Sequence, residues 1–362
     1  MEMSIKDLKA LLTAIPTDIS VMVSGPPGIG KTALSEQVAQ ARGAQHVVYL
    51  AATMDPTDLV GVPFPDEKTR TTDFLPPKAL MRLTTAAKPE DRGPITACFD
   101  DMPTADDHVF AALFRLFQQR EIAGFKIRDN VQLIATGNRV EDKAAAKDLP
   151  TALNNRFWHV DLNVSTDEWR MWAVEHKVQP QIVGYISARP DKLHNFDPTK
   201  PDRAFATPRS VAMASRMQEA VGVDSPLLHQ VIAGCVGEGW AHEYLAFLKN
   251  TEHLVKPDEI MKDPKAARVP KSEQIDVIHA TLASLTYYVS NNVTPADAAA
   301  VQTILKAFTY AQRIPHADMG MVCVHQIVQG VITPSKNADF KAKIISSPVF
   351  TDLIEKHGYM IS

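Results

Sequence analysis

The sequence predicts an α/β fold in which a parallel sheet, covered by helices on both faces, precedes an α-helical lid and further C-terminal helices. Three observations support this prediction. A glycine-rich motif joins an apolar run to a helical segment near residue 25, short strand-like runs alternate with helical ones to about residue 160, and the sequence beyond is helical. A chain of 362 residues also exceeds what one core usually serves, so more than one domain is expected.

Five apolar runs are predicted to form the parallel strands. They are Ile19–Val23, His46–Ala51, Pro94–Phe99, Val131–Thr136 and Trp158–Leu162. Each run is followed by polar or helical sequence, which is typical of a sheet built from strand–helix repeats. Helical sequence with proline-marked breaks begins beyond Val164, so the first domain is predicted to span residues 1–164.

A complete GxxxxGK[ST] phosphate loop lies between the first strand and its helix. It reads Gly25, Pro26, Pro27, Gly28, Ile29, Gly30, Lys31 and Thr32, with Ala33 continuing into the helix. Glycines let backbone N–H groups surround a phosphate, Lys31 can reach the β- and γ-phosphate oxygens, and the Thr32 hydroxyl can ligate Mg²⁺. The motif therefore predicts that residues 25–33 bind ATP with Mg²⁺.

A second acidic element supports this prediction. The apolar run that starts at Ile95 ends in two carboxylates, Asp100 and Asp101. Asp100 is expected to hold the hydrated Mg²⁺, and Asp101 to polarise the attacking water. A pair of aspartates after a strand can also cap a helix, but their position downstream of a phosphate loop favours the catalytic reading.

Three further side chains are candidates for contact with the γ-phosphate. Asn138 follows the fourth strand, where an amide can orient water. Arg156 follows a short predicted helix, and Arg209 starts a helix in the second domain. An arginine in either place can stabilise the charge of phosphoryl transfer, although either alone also fits a solvated surface residue.

The order of these elements resembles that of the AAA+ ATPases over roughly residues 5–250, and the MoxR branch is the most similar within that class. Asp55–Gly61 looks like the segment leading into that branch's insert in the second helix. Phe74–Leu80 resembles the return from the insert, and Arg120–Ile127 resembles the hairpin that precedes sensor 1.

This resemblance implies roles for single residues. Asn138 would be sensor 1, Arg156 the arginine finger and Arg209 the sensor 2 arginine. Two positions depart from the family pattern. Asp101 stands where a glutamate is usual, and Met102–Ala105 stands where Ile-Asn-Arg-Ala is common. A shorter carboxylate favours a slow or differently arranged ATPase.

The resemblance also implies an assembly and a task. Relatives of this kind form hexameric rings with ATP at the subunit interfaces, and they remodel or assemble a protein client, commonly with a von Willebrand-type partner. Residues 165–255 are then expected to form the helical lid that carries sensor 2. Residues 256–362 are expected to form a C-terminal helical extension.

Two other functions stay open at this point. One is a nucleic-acid-associated motor, for which Lys126 and Arg128 near the hairpin and Lys68 and Arg70 in the insert would supply a weak basic groove. The other is a slow nucleotide-dependent switch or scaffold, which Asp101 favours. A balance of 38 basic against 42 acidic residues argues against strong nonspecific nucleic-acid binding.

Compartment and membrane contact are also predicted from the sequence. The three scattered cysteines do not suggest a disulfide framework or a zinc site, and no segment has the apolar length to span a bilayer. The N-terminus lacks the pattern of a secretion signal. A cytoplasmic protein without membrane contact is therefore expected.

Overall fold

The computed structural model describes residues 2–75, 77–142, 146–200, 202–297 and 299–357. Pro76, within the predicted return from the insert, lies outside the described residues. The chain divides into two compact units. The first, called the α/β unit here, contains Met1–Ser165 and Asp197–Pro201, and the second, called the helical unit, contains Thr166–Phe196 and Asp202–Ser362. The division of the helical unit into a lid and an extension stays a prediction.

The described part of the α/β unit contains one parallel sheet and two antiparallel hairpins. Its strands are β1 (Glu2–Met3), β2 (Val21–Ser24), β3 (Gln45–Leu50), β4 (Val62–Asp66), β5 (Thr71–Leu75), β6 (Ile95–Asp100), β7 (Glu121–Ile122), β8 (Phe125–Lys126), β9 (Val131–Gly137) and β10 (Trp158–Leu162). The sheet has the order β1-β10-β2-β9-β6-β3, while β4 pairs with β5 and β7 pairs with β8. In this register Ser24 lies beside Gly137, and Phe99 lies beside Ala135. The carboxyl ends of β2, β9 and β6 therefore meet at one edge.

The central strands match the predicted ones because they are buried on both faces, which requires continuous apolar runs. Every residue of β9 is buried, and so are the first five residues of β6. The edge strand β3 is more exposed, with Val48 at 44% and Leu50 at 43%. The short β1, which pairs with β10, was not predicted because two residues carry no periodic pattern.

Helices cover both faces of this sheet. They are α1 (Ile5–Ala14), α2 (Lys31–Ala41), α3 (Pro56–Val60), α4 (Lys78–Met81), α5 (Asp107–Gln119) and α6 (Thr151–Asn154). Alternating residues of β2 enter different cores: Val21 and Val23 pack with α1 and α2, whereas Met22 packs with α5. This arrangement confirms the predicted layers.

The helical unit contains eleven described helices. They are α7 (Thr166–Glu175), α8 (Pro180–Ala188), α9 (Pro208–Val221), α10 (Leu228–Val236), α11 (Glu238–Asn250), α12 (Pro257–Lys262), α13 (Ile275–Asn292), α14 (Ala300–Ala311), α15 (Ala317–Ile327), α16 (Ala338–Ile345) and α17 (Pro348–His357). One core joins α13, α14 and α15 through Leu285, Phe308 and Val324, among others.

In the sequence, residues 340–357 have the pattern of one amphipathic segment, but they form two helices, α16 and α17. Residues 255–271 are polar and contain several prolines, as a connector would be, and they hold the short α12. Among the described residues, no helix combines the length and apolar character that crossing a membrane requires.

Candidate nucleotide-binding site

The phosphate loop joins β2 to α2, as its motif predicts. Gly30 precedes α2 and has a φ of 101°, a backbone conformation that residues other than glycine rarely adopt. Gly25 is required for space, because a Cβ there would lie 2.9 Å from the carbonyl oxygen of Leu162 in β10. The loop therefore takes a tight path that ends at a helix N-terminus, where phosphate groups bind well.

Lys31 is the first residue of α2 and only 8% of it is exposed. Its Nζ donates to the carbonyl oxygens of Gly25 and Pro26, both at 2.9 Å, and to Oδ1 of Asn138 at 2.8 Å. A buried ammonium requires such partners. These bonds place the predicted sensor amide directly beside the predicted phosphate-binding lysine.

The predicted Mg²⁺ ligands also lie together. The Thr32 hydroxyl donates to Oδ2 of Asp100 at 2.9 Å, and the Thr136 hydroxyl donates to Oδ1 of the same carboxylate. Hydroxyl and carboxylate oxygens are the ligands that Mg²⁺ prefers. The donor set at the sheet edge therefore fits a Mg²⁺-bound nucleotide. Thr136 was not among the predicted site residues, although it is the last residue of the predicted fourth strand.

Asp101 has an unusual backbone. Its φ of 52° lies in the left-handed region, which few residues other than glycine occupy. It starts a tight turn over Met102–Thr104, in which the amide and hydroxyl of Thr104 donate to the Asp101 carbonyl at 3.0 and 2.7 Å. Such strain is frequent at functional sites. It is observed at the residue that the sequence assigns to water activation.

This turn packs against the end of β9. A Cβ on Gly137 would lie 2.2 Å from Cδ of Pro103. The Pro103 ring therefore packs directly against Gly137, where there is no room for a side chain. Gly137 directly precedes Asn138, and Pro103 lies two residues after Asp101. The contact therefore joins the predicted sensor to the predicted base. Gly137 is the last residue of β9, and a glycine at that position is the sequence feature that could have indicated the close approach.

Ser35, which lies three residues after Thr32 in α2, makes polar contacts next to the phosphate loop. The Ser35 hydroxyl donates to the Thr32 carbonyl at 2.7 Å and lies 2.8 Å from Nε2 of His46. Burial lowers the pKa of His46, so the ring is neutral at pH 7. Burial also raises the pKa of the nearby Cys98 to about 12, which keeps that thiol protonated. His46 and Cys98 are thus both uncharged at neutral pH.

The two predicted catalytic arginines are placed differently. Arg156 follows α6 and is exposed, with its backbone amide bonded to the Leu153 carbonyl at 2.9 Å. Arg209 lies in the first turn of α9, in the helical unit, and is also exposed. Within the described parts of the chain, neither guanidinium makes a hydrogen bond or an ion pair. Both roles remain predictions.

The basic residues near the β7–β8 hairpin have structural partners. Arg128 donates to backbone carbonyl oxygens at 2.5 to 3.1 Å. These belong to Arg82, Asp91, Arg92 and Gly93. Lys126 forms an ion pair with Glu121 at 3.3 Å. These cations therefore hold their own unit together rather than facing solvent unpaired.

Residues 20–157 match the AAA domain family of the dynein-related subfamily. No curated protein matches the sequence. The RuvB Holliday junction branch migration motor of Thermotoga maritima aligns with 71% of this chain and 74% of its own at 14% identity and a TM-score of 0.36. NtrX from Brucella abortus, solved with ADP, aligns with 80% of this chain and 63% of its own at 15% identity and a TM-score of 0.39.

The family match and the strand–loop–helix arrangement of the phosphate loop together identify the fold. The nucleotide-binding signature and four strands of the parallel sheet, β2, β3, β6 and β9, lie within the matched residues 20–157. The α/β unit has the AAA+ P-loop NTPase fold.

Proposed function

We propose that this protein is a Mg²⁺-dependent ATPase that couples hydrolysis of ATP to ADP and phosphate to the remodelling or assembly of a protein partner. The observation that carries the proposal is the cluster at the sheet edge. There Lys31 bonds Asn138 while Thr32 bonds Asp100, so four predicted site residues form two adjacent pairs. Such a cluster has no evident role in packing alone.

Each side chain of the cluster has a task that its position supports. Lys31 and the loop amides would bind the β- and γ-phosphates, and Thr32 and Asp100 would hold Mg²⁺. A bound Mg²⁺ supplies charge neutralisation of the phosphate oxygens. Asp101, next to Asp100 on the turn after β6, would accept a proton from the attacking water, and Asn138 would orient that water.

Assembly into a ring, expected to be a hexamer, belongs to the proposal as well. Arg156 is exposed, and its guanidinium has no hydrogen-bond or ion-pair partner among the residues that the structure describes. Arginine is well suited to stabilise the charge of phosphoryl transfer. A second subunit with its nucleotide beside Arg156 would complete the site. Arg209 would serve the nucleotide of its own chain from the first turn of α9.

A protein partner is favoured by the surface of the β4–β5 hairpin. Its large apolar side chains are exposed by 49 to 56%. They are Val62, Phe64, Phe74 and Leu75. Exposed apolar side chains on one hairpin mark surfaces that contact proteins. The sequence resemblance to the MoxR branch supports a protein client that is recognised together with a von Willebrand-type partner.

The charges are less suited to a nucleic-acid motor. The hairpin segment of residues 62–75 carries two basic and three acidic residues. Arg128 and Lys126 are occupied by carbonyl and carboxylate oxygens. Binding to a phosphate backbone needs unpaired cations. If the protein bound DNA with an affinity that falls steeply with salt, the proposed partner would be a nucleic acid and not a protein.

Phosphate release at steady state tests the core of the proposal. We expect Mg²⁺-dependent turnover of ATP by the full chain, increased by proteins that co-purify with it from its native cells. Absence of turnover with and without those proteins, despite tight ATP binding, would reduce the function to a nucleotide-dependent switch. Failure to bind ATP would remove the proposal altogether.

A further inference from the structure

A separate group of metal-ligand side chains lies in the helical unit, at the corner between α10 and α11. His229 is the second residue of α10, and Glu238 and His242 lie one turn apart at the start of α11. None of these residues belongs to the proposed ATPase machinery. Nothing in the sequence spacing alone singles them out, because the ligands come from two different helices.

The three ligand atoms are close together. Nε2 of His229 lies 3.1 Å from Nδ1 of His242 and 3.3 Å from Oε2 of Glu238. Nδ1 of His242 lies 3.9 Å from that carboxylate oxygen. Zinc bound tetrahedrally at about 2.0–2.1 Å separates its ligand atoms by about 3.4 Å. Two spacings are therefore near this value, and a small rotation of the exposed Glu238 side chain corrects the third.

The corner that holds these side chains is constrained by Gly237, the single residue between α10 and α11. A Cβ at this position would lie 2.9 Å from the carbonyl oxygen of Ala204, so the two helices meet at a point with no room for a side chain. Helix-borne ligands at a fixed corner lose little freedom when an ion binds.

We propose that His229, Glu238 and His242 bind a divalent transition-metal ion, best represented by Zn²⁺, with a fourth position open to water. Two imidazoles and one carboxylate suit zinc, whereas Ca²⁺ and Mg²⁺ prefer ligand sets made only of oxygen. Each imidazole would carry its proton on the nitrogen that faces away from the ion. His242 would exchange its present contact with the Glu238 carbonyl, at 3.0 Å, for the metal.

The consequence for the molecule is a link between α10 and α11. An ion that binds the folded corner and not the unfolded chain stabilises the helical unit by mass action. The site is structural in this proposal, because its role is to link the two helices. It is independent of the nucleotide site and of the proposed ATPase.

Calorimetric titration of the nucleotide-free full chain with Zn²⁺ tests the site, together with the visible spectrum of bound Co²⁺, which intensifies in tetrahedral coordination. We expect one site per chain, a higher thermal midpoint with metal, and affinity reduced roughly tenfold or more in His229→Ala and His242→Ala. Glu238→Gln should also weaken binding. The matched control is His253→Ala, because His253 is an exposed histidine outside the cluster.

Correct folding of each variant can be checked by its far-UV circular dichroism and by its thermal midpoint in the absence of metal. The side chain of His242 is 71% exposed, so its removal leaves no cavity in a core. Equal Zn²⁺ affinity in the wild type and His242→Ala would overturn the proposal. So would an equal loss in His253→Ala, or no metal-dependent change in the thermal midpoint.

Discussion

The sheet edge of the α/β unit and the surface that carries Arg156 contrast in how their functional residues are held. At the sheet edge Lys31 is buried and makes hydrogen bonds to Gly25, Pro26 and Asn138. Arg156 is exposed and, in the described parts of the chain, has no side-chain partner. The residues at the sheet edge are held by other groups of the same chain. The guanidinium of Arg156 is instead available to another molecule.

The difference separates two kinds of motif residue. Lys31 works within its own unit and is fixed there by burial and hydrogen bonds, so its geometry is visible in one subunit. A residue that works on a neighbouring subunit need not have any intramolecular partner. The exposure of Arg156 leaves its guanidinium available to a neighbouring subunit, as a finger that acts in trans requires.

The largest effect is expected for Lys31→Ala. This change removes the buried ammonium at the phosphate loop, and no other described cation bonds the loop carbonyls. Binding of a fluorescent ATP analogue should be lost. Affinity within about twofold of the wild type, measured by equilibrium titration, would rule out the assigned role of the loop.

The next largest effect is expected for Arg156→Ala. Loss of an arginine finger lowers turnover by roughly a thousandfold or more. ATP binding should be retained, because Lys31 and its loop are untouched. Turnover and nucleotide affinity, measured on the same preparation, distinguish this result from a folding defect.

Mixing the two variants tests whether the site is shared between subunits. An Arg156→Ala subunit supplies an intact phosphate loop, and a Lys31→Ala subunit supplies an intact arginine. If Arg156 acts in trans, co-assembled mixtures should recover some ATPase activity that neither variant has alone. An inactive mixture with confirmed co-assembly, or full activity in demonstrably monomeric protein, would place Arg156 outside the mechanism.

Substitution of Asp101, whose backbone is in the left-handed region, tests the proposed base at the sheet edge. Asp101→Asn should keep ATP and Mg²⁺ bound while turnover falls by roughly a hundredfold to ten-thousandfold, since the water loses its base. Asp101→Glu should be tolerated and raise turnover, because a longer carboxylate restores the reach usual in the resembled family. Normal turnover in Asp101→Asn would show that the base is another residue.

The sequence predicted more about the sheet edge than about the surface that carries Arg156. The strands and the phosphate loop were predicted because burial on both faces and phosphate binding each impose a strict local pattern. Thr136 and Pro103 were missed because their importance arises from contacts between segments that are distant in the sequence, which local patterns do not record. The metal-ligand cluster at His229 was missed for the same reason, while the roles of Arg156 and Arg209 depend on partners beyond one chain.

The smallest expected effect concerns the contact between Gly137 and Pro103, which couples the two predicted catalytic positions within the α/β unit. A methyl group at residue 137 would lie 2.2 Å from Cδ of Pro103, and both residues belong to backbone segments with little freedom to move. Overpacking of this kind costs about 1–3 kcal/mol. Gly137→Ala should therefore lower the free energy of unfolding by that amount, and it should reduce turnover because Asp101 and Asn138 are displaced.

Pro103→Ala removes the ring atoms that collide with the added methyl group, so the double variant should be more stable than the sum of the single changes predicts. A coupling free energy of about 1 kcal/mol or more, measured by urea unfolding, would support a direct contact. Gly93→Ala is the matched control, because a Cβ at that position meets no atom within 4 Å. Its effect should stay within about 0.5 kcal/mol. Strict additivity of Gly137→Ala and Pro103→Ala would show that the sensor strand and the turn after Asp101 are positioned independently, and that the sheet edge owes its organisation to hydrogen bonds alone.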